Sequence, residues 1–127
     1  MKTAEEIETW ADAYIAYRSR DSASADDPLW WAVNDFMNME QGGDVDPEDG
    51  WQAILLILQK QPPEEVIALL AAGPLEDLIE EFGDQFIGRI EIESRQNPSF
   101  RHLLGGVWKS GSDEVWRRVQ KAQGTLW

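Results

Sequence analysis

The chain of 127 residues has no cysteine, a single histidine and, along its whole middle, a single basic side chain. Without cysteine there can be no disulfide, no thiolate nucleophile and no Cys-based zinc or iron–sulfur site. One histidine, His102, is too few for an HExxH zinc site or for the paired Glu-x-x-His motifs of a di-iron bundle. Long apolar runs are missing as well. The longest, "AILLIL" from Ala53 to Leu58, is far short of a bilayer span, and the opening "MKTAEEIETW" has acids where a secretory leader carries an apolar core. These absences predict a soluble, cytoplasmic protein without metal, cofactor or membrane contact. No segment alternates apolar and polar residues, so no strand is expected.

What is present is enough to fold. Hydrophobic residues make up 43% and aromatics 10%, seven of them Trp, which is more apolar surface than a disordered chain carries. The length suits one domain, residues 1–127. Helix punctuation is dense. All six prolines, in "DDPLWW", "DVDPEDGW", "QPPEEV", "GPLEDL" and "QNPSF", stand where a helix start tolerates a missing N–H and profits from a fixed φ. Thr3 and Glu6 form a capping box ahead of Ile7, Trp10, Ala11, Tyr14 and Ile15, which recur on one helical face. Further helices are predicted over 28–39, 47–60, 63–72, 75–82 (stopping at Gly83), 84–95, from Pro98, and after a Ser112 cap. The spacing of the prolines has no fixed period, which argues against a tandem repeat. The predicted fold is all-α, one domain of seven or eight short helices packed as irregular antiparallel pairs.

Charge is the outlier: 24 acids face 11 bases, a net of −13, and residues 21–88 hold 16 of the acids with Lys60 as their one base. Nine of those sixteen, Asp26, Asp27, Asp46, Glu48, Asp49, Glu64, Glu65, Glu76 and Asp77, fall at predicted helix starts, where the dipole favours an acid by about 0.3 to 1 kcal/mol. Asp21, Asp35, Glu40, Asp44, Glu80, Glu81 and Asp84 have no such explanation. Glu80 follows Glu76 by four residues and Glu81 follows Asp77 by four, both repulsive spacings on a helix. Placed at about 100° per residue, these carboxylates lie opposite Leu75, Leu78, Ile79 and Phe82, so they face away from the core. They serve either plain solvation or a surface kept negative for a basic partner.

Other motifs fail on inspection. "GGDVDPEDGW" spaces Asp44, Asp46 and Glu48 like a calcium loop, but Asp49 stands where Gly is needed and Leu55 where a bidentate Glu belongs. "SGSDE" reads as a helix cap rather than a nucleophile. No carboxylate lies in an apolar run that would raise its pKa, which disfavours an acid/base enzyme. Trp10, Trp51 and Trp116 sit on apolar stripes and are expected in the core. Trp30 and Trp31 diverge by about 100°, so one is a candidate for an exposed binding anchor. Arg117, Arg118 and Lys121 are expected to make surface ion pairs, and their field is too small for direct nucleic-acid binding.

From about Ala53 the wording "LLAAGPLEDLIEEFGDQFIGRIE", "NPSFRHLLGGVWK" and "DEVWRRV" resembles a family of short bacterial proteins defined only as a domain of unknown function. The resemblance implies an all-helical intracellular protein and supplies no catalytic residue. Charge and the lack of catalytic equipment together predict a non-enzymatic protein-binding module, most concretely an immunity-type inhibitor that covers the basic active site of a toxin. Its contact residues would be the seven unexplained acids with Trp30 or Trp31. The alternatives are a nucleic-acid mimic that blocks a DNA-binding or defence protein, and a small helical enzyme using carboxylates alone.

Overall fold

Side-chain caps and prolines fix where the helices begin. The computed structural model describes residues 1–20 and 24–127, and among these there is helix and no strand. Helix α1, Ala4–Arg18, opens on the reciprocal Thr3/Glu6 capping box. Helix α2 is Trp31–Met37, entered through a turn in which the Asp27 carboxylate accepts from the Leu29 N–H at 2.8 Å. Helix α3, Pro47–Gln59, has Asp46 as N-cap and Pro47 in its first turn. Helix α4 is Glu64–Leu70, followed by a π turn, Ala71–Leu75, and by α5, Glu76–Gln96. Helix α6, Pro98–Leu104, is capped by Asn97, and α7, Asp113–Ala122, by Ser112.

Two predicted boundaries are overturned: the second helix starts at Trp31 instead of Pro28, and Gly73-Pro74 does not end a helix. Helical hydrogen bonding runs from Glu64 to Gln96, so three expected helices form one run, kinked at Phe82, and there are six runs among the described residues instead of seven or eight. Pro74 lies inside the π turn. The wider turn absorbs the missing N–H and the bulk of the ring, which would otherwise end an α-helix. The break expected at Gly83 is present as a kink: Phe82 has non-helical angles (φ −130°, ψ 21°), and two helical stretches meet across it. Gly83 is small for a packing reason: a Cβ there would lie 2.9 Å from Val115 Cγ1.

The chain forms two compact units, Met1–Leu69 and Leu70–Trp127. In the first, α1 packs against α2 and α3. Trp10 is fully buried, its indole N–H donates to the Ala32 carbonyl at 2.8 Å, and its ring lies 4.4 Å from that of Phe36. Tyr14 meets Phe36 edge-on at 5.3 Å. Buried Trp51, Ile54 and Ile57 supply the facing side of α3. In the second unit α5 is the axis against which α6 and α7 pack. Leu78, Ile79, Phe86 and Ile90 are buried on α5, as are Phe100, Leu103 and Leu104 on α6 and Val115 and Val119 on α7. Each uncovered aliphatic side chain of this kind would forfeit about 1.5 to 3 kcal/mol of burial. Trp116, expected in the core, is half-buried. No helix among the described residues is long and apolar enough to cross a membrane.

Tyr14 carries a buried hydroxyl without a hydrogen bond of good geometry, although Arg18 lies close to its ring, and burial, opposed by Arg18, pushes its phenol from 10.0 to about 12. The folded state therefore holds this proton at pH values where the unfolded chain has lost it, so the associated stability is complete below about pH 10 and disappears as pH rises through about 12. Tyr14→Phe should be neutral or stabilising by about 1 kcal/mol near neutral pH. It should also flatten the alkaline loss, as read from urea unfolding of both proteins on either side of pH 10.

Candidate partner-binding face

The loop between α6 and α7 is held by the acids whose spacing on α5 looked unfavourable. Glu76 accepts from the Trp108 N–H at 2.9 Å, and Glu80, one turn further on, accepts from the Gly111 N–H at 2.5 Å. Gly111 has φ +77°, and a Cβ on it would stand 2.9 Å from the Ile79 carbonyl oxygen, so conformation and space both demand glycine. The Ser110 hydroxyl donates to the Trp108 carbonyl at 2.7 Å, and Ser112 then caps α7 by accepting from the Val115 N–H. These bonds fix the loop backbone while leaving the Trp108 side chain 80% exposed.

Each predicted contact residue can now be placed. Glu81 and Asp84 are exposed on α5 and form no ion pair with any described residue. With Glu80, Gly111 and Ser112 they line a cleft of about 240 Å³ beside the pinned loop. Glu80 is exposed but occupied by its amide bond. In the first unit Glu40 and Asp44 are exposed in the loop before α3, where Asp46 accepts from the Gly42 and Glu48 N–H groups. Asp35 is half-buried with the Lys2 ammonium at 3.8 Å. Trp30 and Trp31 are both half-buried; Trp30 packs near Tyr17 at 5.8 Å, and Trp31 lines a groove with Lys2, Thr3 and Glu6. Asp21 lies outside the described residues. The structure thus brings Glu80, Glu81 and Asp84 together on one helix, and Glu40 and Asp44 on one loop. It ties Asp35 and Glu80 into the fold.

Three sequence readings need correction. Glu76 and Asp77 follow a π turn instead of a free helix start, so the dipole does not account for them; Glu76 is explained by its bond to Trp108. Asp26 and Asp27 precede a helix that begins only at Trp31 and has no acid in its first turn, so the dipole does not account for them; Asp49 does stand in the first turn of α3, where it is 2% exposed and accepts from the Lys2 N–H at 3.2 Å. Two carboxyls do lie where their pKa rises. Burial pushes Asp35 up, opposed by Lys2, and burial followed by repulsion from Glu81 and Glu76 pushes Asp77 up. Among the described residues no group of three or more His, Asp or Glu converges as a metal site. The most exposed tryptophan, Trp108, lies in "GGVWKS", which gives no periodicity from which exposure can be read.

Glu80→Gln should speed amide exchange at Gly111 by about tenfold, the loss of one charge-assisted hydrogen bond, whereas Glu81→Gln should leave that amide unchanged. For Asp77 the raised folded-state pKa means that proton-linked stability is present in acid and is lost as pH climbs from the ordinary carboxylate range through the raised value. Asp77→Asn should therefore stabilise the protein near neutral pH and make no difference at strongly acid pH, in paired urea titrations.

A family model described as a family of unknown function, DUF6869, matches residues 18–126, well upstream of the Ala53 boundary at which the resemblance in wording begins, and so takes in "DSASADDPLWW". No curated protein and no solved structure matches the chain. With 18–126 covered, the chain belongs to this family of unknown function, DUF6869.

Proposed function

We propose that the protein is a non-enzymatic protein-binding module, an immunity-type inhibitor acting in the cytoplasm, that sets the outer side of α5 and the Trp108 loop against a basic partner. The observation that carries this reading is a tryptophan 80% exposed on a loop whose backbone is bonded to Glu76 and Glu80. A mobile exposed Trp would lose much of its contact energy to ordering on binding, and one on a fixed backbone loses less. Trp is the residue most enriched at binding hot spots. Beside it, Glu81 and Asp84 supply charge that no described base neutralises, which speeds encounter with a basic surface and rejects acidic ones. Glu40 and Asp44 are exposed acids of the first unit, taken by itself, where Trp30 and Trp31 are half-buried.

Pull-down from the native host at low salt, followed by affinity measurement on the captured protein, tests the reading. Binding should weaken at least tenfold when salt rises from about 50 to about 300 mM. Glu81→Lys with Asp84→Lys should reproduce that loss, and Trp108→Ala should raise the dissociation rate by about thirtyfold or more, the size of a hot-spot truncation. A partner whose affinity ignores salt and both variants would remove the proposal.

A further inference from the structure

Four of the eleven bases of this acidic chain surround one cleft. It lies in the second unit, has a volume of about 250 Å³, and is lined by Arg95 from the last turn of α5, Arg101 from α6, and Arg118 and Lys121 from α7. The acid in its wall, Glu91, is already used. Arg118 reaches it with two donors, Nε to Oε2 at 2.9 Å and Nη2 to Oε1 at 2.5 Å. That hydrogen-bonded pair holds the Glu91 carboxyl below the usual carboxylate range. Arg95, Arg101 and Lys121 form no ion pair with any described residue. Ser94 also lines the cleft, is 5% exposed, and its hydroxyl has no hydrogen-bond partner.

An unpaired buried hydroxyl costs stability, and three cations gathered beside it repel one another. Each is relieved by the same kind of ligand. Arginine and lysine only donate, and the Ser94 hydroxyl has a donor to spare, so the free hydrogen-bonding capacity of the cleft is almost wholly donor. Such a set is matched by an anion that only accepts, and the planar guanidinium fork fits a phosphate oxygen pair. The volume is below that of a drug-sized pocket and suits one or two phosphate groups. A long polyanion would meet the net charge of −13 at a distance, whereas a small phosphate compound meets only the cleft. We propose that this cleft is a phosphate-binding site for a small phosphorylated or pyrophosphorylated molecule, with Arg95, Arg101 and Lys121 as charge partners, Ser94 as a hydroxyl donor, and Arg118 held in place by Glu91.

Titration of the full chain with sodium pyrophosphate at low ionic strength, followed by calorimetry and amide chemical shifts, tests the site. Saturable binding with a dissociation constant of about 1 mM or tighter is expected, with shifts centred on residues 94, 95, 101 and 121. The double change Arg95→Gln with Arg101→Gln, both at exposed positions, should weaken binding by at least about tenfold, and Ser94→Ala by about fivefold at unchanged net charge. Lys121→Gln gives an independent reading if the double variant loses its helical circular dichroism. Lys109→Gln, outside the cleft, should have no effect. Pyrophosphate and ADP binding equally would place the contacts on phosphate alone, and tighter ADP binding would identify a nucleotide as its source; both support the site. No saturation at about 10 mM, or an equal loss for Lys109→Gln and Arg101→Gln, would overturn it by showing a diffuse attraction or none.

Discussion

The second unit depends on two carboxylates one turn apart that accept backbone N–H groups from a loop more than thirty residues further along the chain. Glu76 and Glu80 repel each other in isolation. Each bond to an amide is charge-assisted and offsets that repulsion of a few tenths of a kcal/mol. Everything C-terminal follows from the docking. It sets Gly111 in its left-handed conformation, delivers Ser112 as the cap of α7, and so aims Val115 into the space that Gly83 leaves open. With α7 in place, Arg118 meets Glu91 and Lys121 comes to the wall of the cationic cleft. One local constraint thereby positions both the exposed Trp108 and the groups at the far end of the helix.

Much of this architecture is legible in the sequence because helix starts are a local affair. Thr3 with Glu6, Asp46 before Pro47, Asn97 before Pro98, and Ser112 all cap as their spacing indicates. A cap needs only its own neighbours three residues away. Ends are a different matter. Gly73-Pro74 and Gly83 both look like breaks by composition, yet the first sits in a π turn within continuous helix, while the second adjoins the kink at Phe82 and is also a packing notch for Val115, thirty-two residues on. No local rule distinguishes a glycine that ends a helix from one that makes room for a neighbour.

The candidate face was legible in part for the same reason. A helical wheel places Glu80 and Glu81 opposite Leu78 and Ile79, and the structure agrees: the first two are exposed and the second two fully buried. What each acid bonds to is tertiary information. Glu80 and Asp35 prove to be engaged, one by an amide and one by Lys2, so that of the six described candidate acids Glu81, Asp84, Glu40 and Asp44 stay exposed without a described ion pair. Trp108 escaped notice because its exposure is set by where Glu76 holds its backbone. The cationic cleft was illegible because its members come from three helices, and on α7 alone Arg118 and Lys121 look like an ordinary solvated stripe.

A molecule with both an acidic face and a basic cleft invites the objection that the two fields cancel. Distance along α5 answers it. Asp84 and Arg95 are separated by eleven residues of regular helix beyond the bend at Phe82, about 16 Å at a rise of about 1.5 Å per residue. The Debye length in physiological salt is about 8 Å, so an ion at either end responds chiefly to the charges nearest to it. The surplus of acids therefore acts on large partners, whose contact surface comes within reach of many of them at once. A ligand small enough to enter the cleft responds instead to four bases and one already paired acid. Under the two proposals, selection by size follows: the acidic side would draw basic proteins, the net charge would turn away extended polyanions, and the cleft would admit small anions.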